Sequence, residues 1–283
     1  MAREIFIHNS RFLKQRLSIE DFIGDDNYEV SYLDQNMRLT TEKSEACFTM
    51  IYDRDHIGRG VQIVNIEDKH TIHLAVNIPC TAEDVTMLYK VSLRLAQKWN
   101  AKYIMVDDYK VDISDIEQWI DHDISMNINI LKDSQSIFQS ESTKLFCALL
   151  PISILTSQLQ EFANDYKSYS EYLNIRQQID AFYSCPIFFE RDSELYSLYV
   201  GISEGTFIIP KCPEMTFVSN GVNKECSKAL IAVSEVFPDE GTSMIDYQTF
   251  INRIPEEKVS DFDCQHFLVS PLSIKELKSI FRR

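Results

Sequence analysis

The chain has 283 residues, 45% of them hydrophobic, with 17 Phe and 13 Tyr spread along its length, which excludes a disordered or low-complexity polypeptide. Asp and Glu number 43 against 28 Lys and Arg, for a formal net charge of −15. The basic clusters are limited to Arg11, Lys14 and Arg16 near the start and Arg282 and Arg283 at the end, so no nucleic-acid partner is expected.

The first elements read as antiparallel strands with a helix laid on them. An apolar strand covers Ile5 to Ile7, and Ser18 with Asp21 three residues later makes a capping box for a brief helix. Strands are expected over Ala46 to Tyr52, Val61 to Ile66 and His70 to Ile78, separated by the turn-like stretches DRDHIGRG and EDK. Thr81 and Asp84 open a helix whose Val85, Leu88, Leu95 and Trp99 keep one apolar stripe, and a strand follows from Tyr103 to Val106.

Asp112 and Asp115 cap a further helix, with Ile113, Ile116, Ile120, Ile124, Ile128 and Leu131 stepping by three or four as its core-facing stripe. A strand over Leu145 to Leu150 is expected to end at Pro151, before a long helix from Thr156 to Ile179. Strands return over Ile187 to Glu190, Leu195 to Ile202, Thr206 to Ile209, Thr216 to Val218, Ala229 to Val236 and Cys264 to Val269. A small helix is expected at Asp246 to Arg253, and a last one is capped by Ser273 and Glu276. Strands and helices are grouped, not alternated, which predicts an α+β fold with mostly antiparallel sheets, divided into units at 1–110 and 111–283.

No run is long and apolar enough for a signal peptide or a membrane span: the longest uncharged stretch, Leu145 to Gln160, is broken by Pro151 and polar side chains. Seven cysteines, none closer than fourteen residues to the next, read as reduced and mostly buried thiols of a cytoplasmic protein.

Glycine is scarce, with 7 in the chain, and none falls in a phosphate-cradling motif, so no cofactor is expected. Gly58 and Gly60 flank Arg59. The pair reads first as a turn needing positive φ, and secondly as a tip presenting Arg59, with His56 beside it, to an anionic ligand. Asp53, Asp55 and His56 place oxygen and nitrogen donors close together, as a divalent metal site does, and Asp107 with Asp108 ends a strand in paired carboxylates that can hold Mg²⁺. Turn and cap duty is the competing account of both clusters.

Cys264 and His266 in DFDCQHFLV fall on one face of a strand about 7 Å apart, too far for direct proton transfer. A buried Cys and a partly exposed His is the expected arrangement. His122, between Asp121 and Asp123, is placed on the outer face of its helix, and Tyr166 and Tyr169 fit a core stripe.

The stretches GRGVQIVNIEDKHTIHLAVNIPCTAEDVTMLYKVSLRLAQ and DYQTFINRIPEEKVSDFDCQHFLVSPLSIKELKSIF carry a resemblance: a strand running into a Pro-x-Thr helix start, and a Pro-Leu-Ser-x-x-Glu terminal helix. They resemble an uncharacterised bacterial family of cytosolic proteins of about 300 residues, labelled as a domain of unknown function. The resemblance covers most of the chain, implies bacterial origin and intracellular location, and lends no catalytic residue.

Residues 1 to 112 hold 14 basic and 18 acidic residues, and residues 113 to 283 hold 14 and 25. With abundant aromatics and no catalytic signature, this predicts a non-enzymatic interaction or regulatory protein with a basic protein partner. The alternative is a metal-dependent hydrolase or other small-molecule enzyme using Asp53, Asp55 and His56, or Asp107 and Asp108. The oligomeric state is open.

Overall fold

A computed structural model of the chain describes residues 1–35, 39–40, 46–64, 68–219, 221–233, 236 and 243–282. The chain forms two compact units, Met1–Ile179 and Asp180–Arg283. The architecture is α+β.

The first unit contains, in order, β1 (Ala2–His8), α1 (Ile19–Ile23), β2 (Tyr28–Leu33), β3 (Phe48–Asp53), β4 (Val61–Ile63), β5 (Thr71–Asn77), α2 (Ala82–Lys98), β6 (Tyr103–Val106) and β7 (Tyr109–Asp112). There follow α3 (Ile116–Lys132), α4 (Ser134–Phe138), β8 (Ser142–Leu145), β9 (Ile152–Leu155), α5 (Thr156–Phe162) and α6 (Tyr166–Gln177). Its main sheet has seven strands in the order β2-β3-β4-β5-β1-β6-β7, and every pairing is antiparallel.

Strand alternation explains which side α2 covers. On β1, Arg3, Ile5 and Ile7 are buried while their neighbours are less so, as period-two side-chain placement requires. Ile5 and Ile7 join Ile72, Leu74 and Val76 of β5 in one core with Val85, Leu88, Val91 and Leu95 of α2. Arg3 therefore enters the helix-covered face of the sheet on the same strand parity as two core isoleucines. Thr81 Oγ1 accepts from the Asp84 N–H at 3.0 Å and the Asp84 carboxylate accepts from the Thr81 N–H at 3.0 Å, a reciprocal cap that starts α2.

Several expected elements differ. The single helix over 156–179 is two, because the Asp165 side chain accepts from the Ser168 N–H and hydroxyl and starts α6 afresh. Of the strand expected over 145–150, Leu145 ends β8 and the rest is a loop between β8 and β9, since its backbone groups are taken elsewhere. Phe146 O accepts from Arg59, Ala148 O from Ser31, and the N–H groups of Leu149 and Leu150 both donate to Gln177 Oε1. β2 and β7 were not expected. Asn65 and Ile66 of the expected Val61 to Ile66 strand, and residues 234 and 235 of the Ala229 to Val236 strand, lie outside the described residues. A division near residue 110 was expected, whereas α3 packs on α2 and α5, which keeps residues up to Ile179 in the first unit.

The second unit contains β10 (Phe182–Tyr183), β11 (Ile187–Arg191), β12 (Glu194–Gly201), β13 (Phe207–Pro210), β14 (Thr216–Ser219), β15 (Val222–Glu225), β16 (Lys228–Val233) and β17 (Ser243–Asp246). It ends with α7 (Tyr247–Arg253), β18 (Val259–Asp261), β19 (His266–Val269) and α8 (Ile274–Phe281). Two four-stranded sheets, β10-β13-β19-β18 and β11-β12-β16-β17, accompany the β14-β15 hairpin. Each contains one parallel pair, β10 with β13 and β12 with β16. Tyr199 and Ile231 from one sheet, Phe207 and Val269 from the other, Phe250 of α7 and Leu277 of α8 share one core.

Candidate functional site

Asp53, Asp55 and His56 lie where β3 runs into the turn toward β4. Asp53 Oδ1 accepts from the Asp55 N–H at 2.9 Å, and Asp55 Oδ2 accepts from Asn27 Nδ2 at 2.7 Å. These are turn-shaping bonds, and His56 is exposed. Among the described residues, no group of three or more His, Cys, Asp or Glu is arranged to hold a metal ion.

Arg59 does not stand at a tip. It is 4% exposed, and its guanidinium donates to Phe146 O at 2.7 Å and Pro79 O at 2.9 Å. The reason is the backbone around it: the N–H groups of Arg59 and Gly60 each donate to the Asp84 carboxylate at 2.9 Å, which turns the segment inward. Gly60 has φ +71°, as the turn reading required, and Gly58 has no room for a Cβ against Asp84. Burial holds the Asp84 carboxyl above its ordinary value even though Arg59, Thr81 and Gly60 all donate to it. His56 and Arg59 thus have separate surroundings, one solvent and the other the core.

Asp107 and Asp108 also part company. Asp107, at φ +49° in the β6–β7 turn, bonds to Arg3 and accepts from the Glu4 N–H at 3.0 Å, while Asp108 is exposed. Arg3 meets a second carboxylate, Asp123 of α3, through Nε to Oδ2 at 2.8 Å and Nη2 to Oδ1 at 2.5 Å. The Tyr89 hydroxyl of α2 donates to Asp123 Oδ2 at 2.8 Å. Burial and then the Asp123 charge push the Tyr89 phenol up, so it stays a donor. One turn on, Asn127 Nδ2 donates to Asp123 O and its Oδ1 accepts from the Cys80 N–H, both at 2.8 Å.

This network corrects the reading of α3. Its most buried residues are Ile116, Asp123, Asn127 and Leu131, so two polar side chains stand within the stripe where only isoleucines and a leucine were expected. Asp123, read only as the neighbour of His122, is buried, and it links outward to His122 Nδ1 at 3.1 Å. Neither was legible, because a buried Asp on a helix declares itself only when its partner, 120 residues away, is known.

Aromatic rings flank the buried side of α3, where Trp119 packs half-buried against the core. Tyr109, 65% exposed, lies 6.0 Å from the Trp119 ring, and Trp119 lies 5.6 Å from His122. Further along, His122, Met126, Ile130 and Ile137 line an open depression of about 330 Å³ with Ser125, Asn129 and Asp133. Sequence reasoning missed this face, although a second line of three-and-four spacing, Trp119, His122, Met126 and Ile130, was there to be read.

In the second unit, Asp263, His266 and Tyr183 form a chain of hydrogen bonds. Asp263 Oδ1 lies 2.8 Å from His266 Nδ1, and His266 Nε2 lies 2.8 Å from the Tyr183 hydroxyl. Asp263 Oδ1 also accepts from the N–H groups of Gln265 and His266, at 2.8 Å each. Nδ1 therefore donates and Nε2 accepts from the phenol, whose proton burial holds firmly. The exposures of Cys264 and His266 are the reverse of those expected: His266 is buried and Cys264 half-buried. β19 starts at His266, so Cys264 belongs to the preceding turn and strand parity does not apply to it. Of the seven cysteines, none in a disulfide, Cys80, Cys147 and Cys226 are buried and Cys47 and Cys212 exposed, fewer buried than expected. Among the described residues no helix is long and apolar enough to cross a membrane.

The family described as domain of unknown function (DUF4299) matches residues 2–280, and the chain belongs to that family. No curated protein and no solved structure matches the chain.

Proposed function

We propose that this member of the DUF4299 family is a non-enzymatic, acidic interaction protein of the cytoplasm whose partner is a basic protein. What supports the reading is how the polar residues are spent. Asp84, Asp107 and Asp123 hold backbone or Arg3, and Arg59 holds carbonyl groups. The groups that chemistry would need are thereby committed to shaping the chain, while most of the remaining acidic surplus, within a formal charge of −15, stays available for a partner of opposite sign.

The test is association with a lysine-rich peptide, followed by fluorescence anisotropy across a salt series. Binding is expected at low salt, with affinity falling by about tenfold or more between roughly 20 and 300 mM salt as charges are screened. Binding equal for a neutral peptide of the same length, or indifferent to salt, refutes the reading.

A further inference from the structure

Asp115, Trp119, His122, Met126, Asn129 and Asp133 recur at steps of three and four, which aligns them along one side of α3. This line flanks the buried one through Ile116, Asp123, Asn127 and Leu131, and Trp119, half-buried against the core, and Met126, whose sulfur meets Arg3 at 3.1 Å, stand at the border between the two. Its middle is apolar and aromatic, opening into the depression that Ile130 and Ile137 complete, and its two ends are exposed carboxylates, with Asp108 and Asp112 also exposed beside Tyr109. Three-and-four spacing with an apolar middle is what one helix presents to another laid along it.

We propose that this line is the docking face for an amphipathic, basic segment of the partner protein. The inference rests on the basic-partner reading above and gives it a place. Apolar side chains of the segment lie against Met126, Ile130 and Ile137, and its Lys or Arg residues reach the carboxylates at either end. Two charge observations favour this occupant. The basic residue of α3 itself, Lys132, lies outside the line, and nearby Lys110 is held 4.2 Å over the Tyr103 ring. Trp119 and Tyr109 add π faces to which a cation is attracted. A second copy of the chain laid on this face in the same way would set carboxylates against carboxylates, and an anionic lipid surface would meet the same repulsion.

The experiment uses the full chain and a labelled peptide of leucine and lysine in helical repeat, with a lysine homopolymer of equal charge as comparison. The amphipathic peptide is expected to bind about tenfold more tightly than the homopolymer, since it alone can fill the apolar middle, and to change Trp119 emission. The double variant Asp115→Lys/Asp133→Lys should weaken binding by about tenfold. An equal charge change in the same unit, Asp25→Lys/Asp55→Lys, at exposed positions beside β2 and β3 and so at the end of the sheet opposite β6 and β7, should weaken it by less than about threefold, because screened charges away from the contact matter little. Ile137→Asp, at a 37% exposed position, leaves both helix ends untouched and should bring the amphipathic peptide down to the affinity of the homopolymer. If both double variants weaken binding alike, the α3 site is refuted while the basic-partner reading survives. If no basic peptide binds the wild-type chain, both fall. A concentration-dependent dimer abolished by Ile137→Asp, or binding to anionic vesicles, overturns the proposed occupant.

Discussion

Asp123 of α3 and Arg3 of β1 meet through two hydrogen bonds, Nε to Oδ2 at 2.8 Å and Nη2 to Oδ1 at 2.5 Å, across 120 residues of sequence. With Tyr89 on the same carboxylate, the pair ties the centre of the sheet to both helices above it. Removing Asp123 leaves the buried Arg3 with one carboxylate, the partly exposed Asp107, and the Tyr89 hydroxyl with no acceptor there. Asp123→Ala should therefore destabilise the protein by about 3–5 kcal/mol in chemical denaturation. Asp107→Asn, which keeps a side chain suited to its φ of +49° at a carboxylate 36% exposed, should cost about 1 kcal/mol or less because solvent screens the lost charge. The apolar double replacement Arg3→Met/Asp123→Leu should recover most of the Asp123→Ala loss; equal losses for Asp123→Ala and Asp107→Asn would contradict the network.

Gly58→Ala should destabilise by about 1–3 kcal/mol, the usual cost of overpacking, since the new methyl group would overlap the Asp84 carboxylate that holds the turn. Asp84→Asn should also destabilise. All its partners, the N–H groups of Arg59, Gly60 and Thr81 and the Thr81 hydroxyl, are donors, and an amide NH₂ cannot accept from them. A Gly58→Ala protein as stable as wild type in thermal melts would show that the turn gives way freely.

The Tyr52 hydroxyl donates to Glu29 Oε2 at 2.7 Å, and this bond first, then Arg54, holds the Glu29 carboxyl below its ordinary value. A depressed carboxyl contributes stability that is present above its unfolded pKa and lost as pH falls through the folded one. Tyr52→Phe should accordingly cost about 1 kcal/mol near neutrality, and the gap to wild type should begin to narrow below the ordinary glutamate value of about 4.3 and close once the pH has fallen through the depressed folded one. A gap that stays constant down to acid pH would assign the loss to packing instead.

In the second unit, Asp263→Ala removes the acceptor of two backbone N–H groups and of His266 Nδ1. It should cost about 2–3 kcal/mol, while Tyr183→Phe, which deprives only His266 Nε2, should cost about 1 kcal/mol. Urea titrations of the two variants check the order, and a larger loss for Tyr183→Phe reverses the account.

Much of the fold was legible because its signals are local. The Thr81–Asp84 and Ser273–Glu276 boxes start α2 and α8 as read, since a cap is set by residues three apart. Strand β6 has the bounds expected, its apolar run ending where Asp107 turns the chain. The breaks at Asp165 and over 146–150 were not legible. The first turns on one side-chain cap within a helical pattern. The second turns on Arg59, Ser31 and Gln177, which claim backbone groups from far along the chain.

What the sequence by itself determined is the class of structure, the caps and the acid surplus, all properties of short windows or of composition. Only the tertiary structure decided which charges are free. Arg59, presented at an exposed tip in the second reading of its turn, and Asp123, noted only beside His122, are both buried, because a side chain's exposure depends on which distant donors and acceptors the folded chain brings to it. The line along α3 became a candidate face for the complementary reason: nothing among the described residues of its own unit packs over Tyr109, which stays 65% exposed beside Trp119.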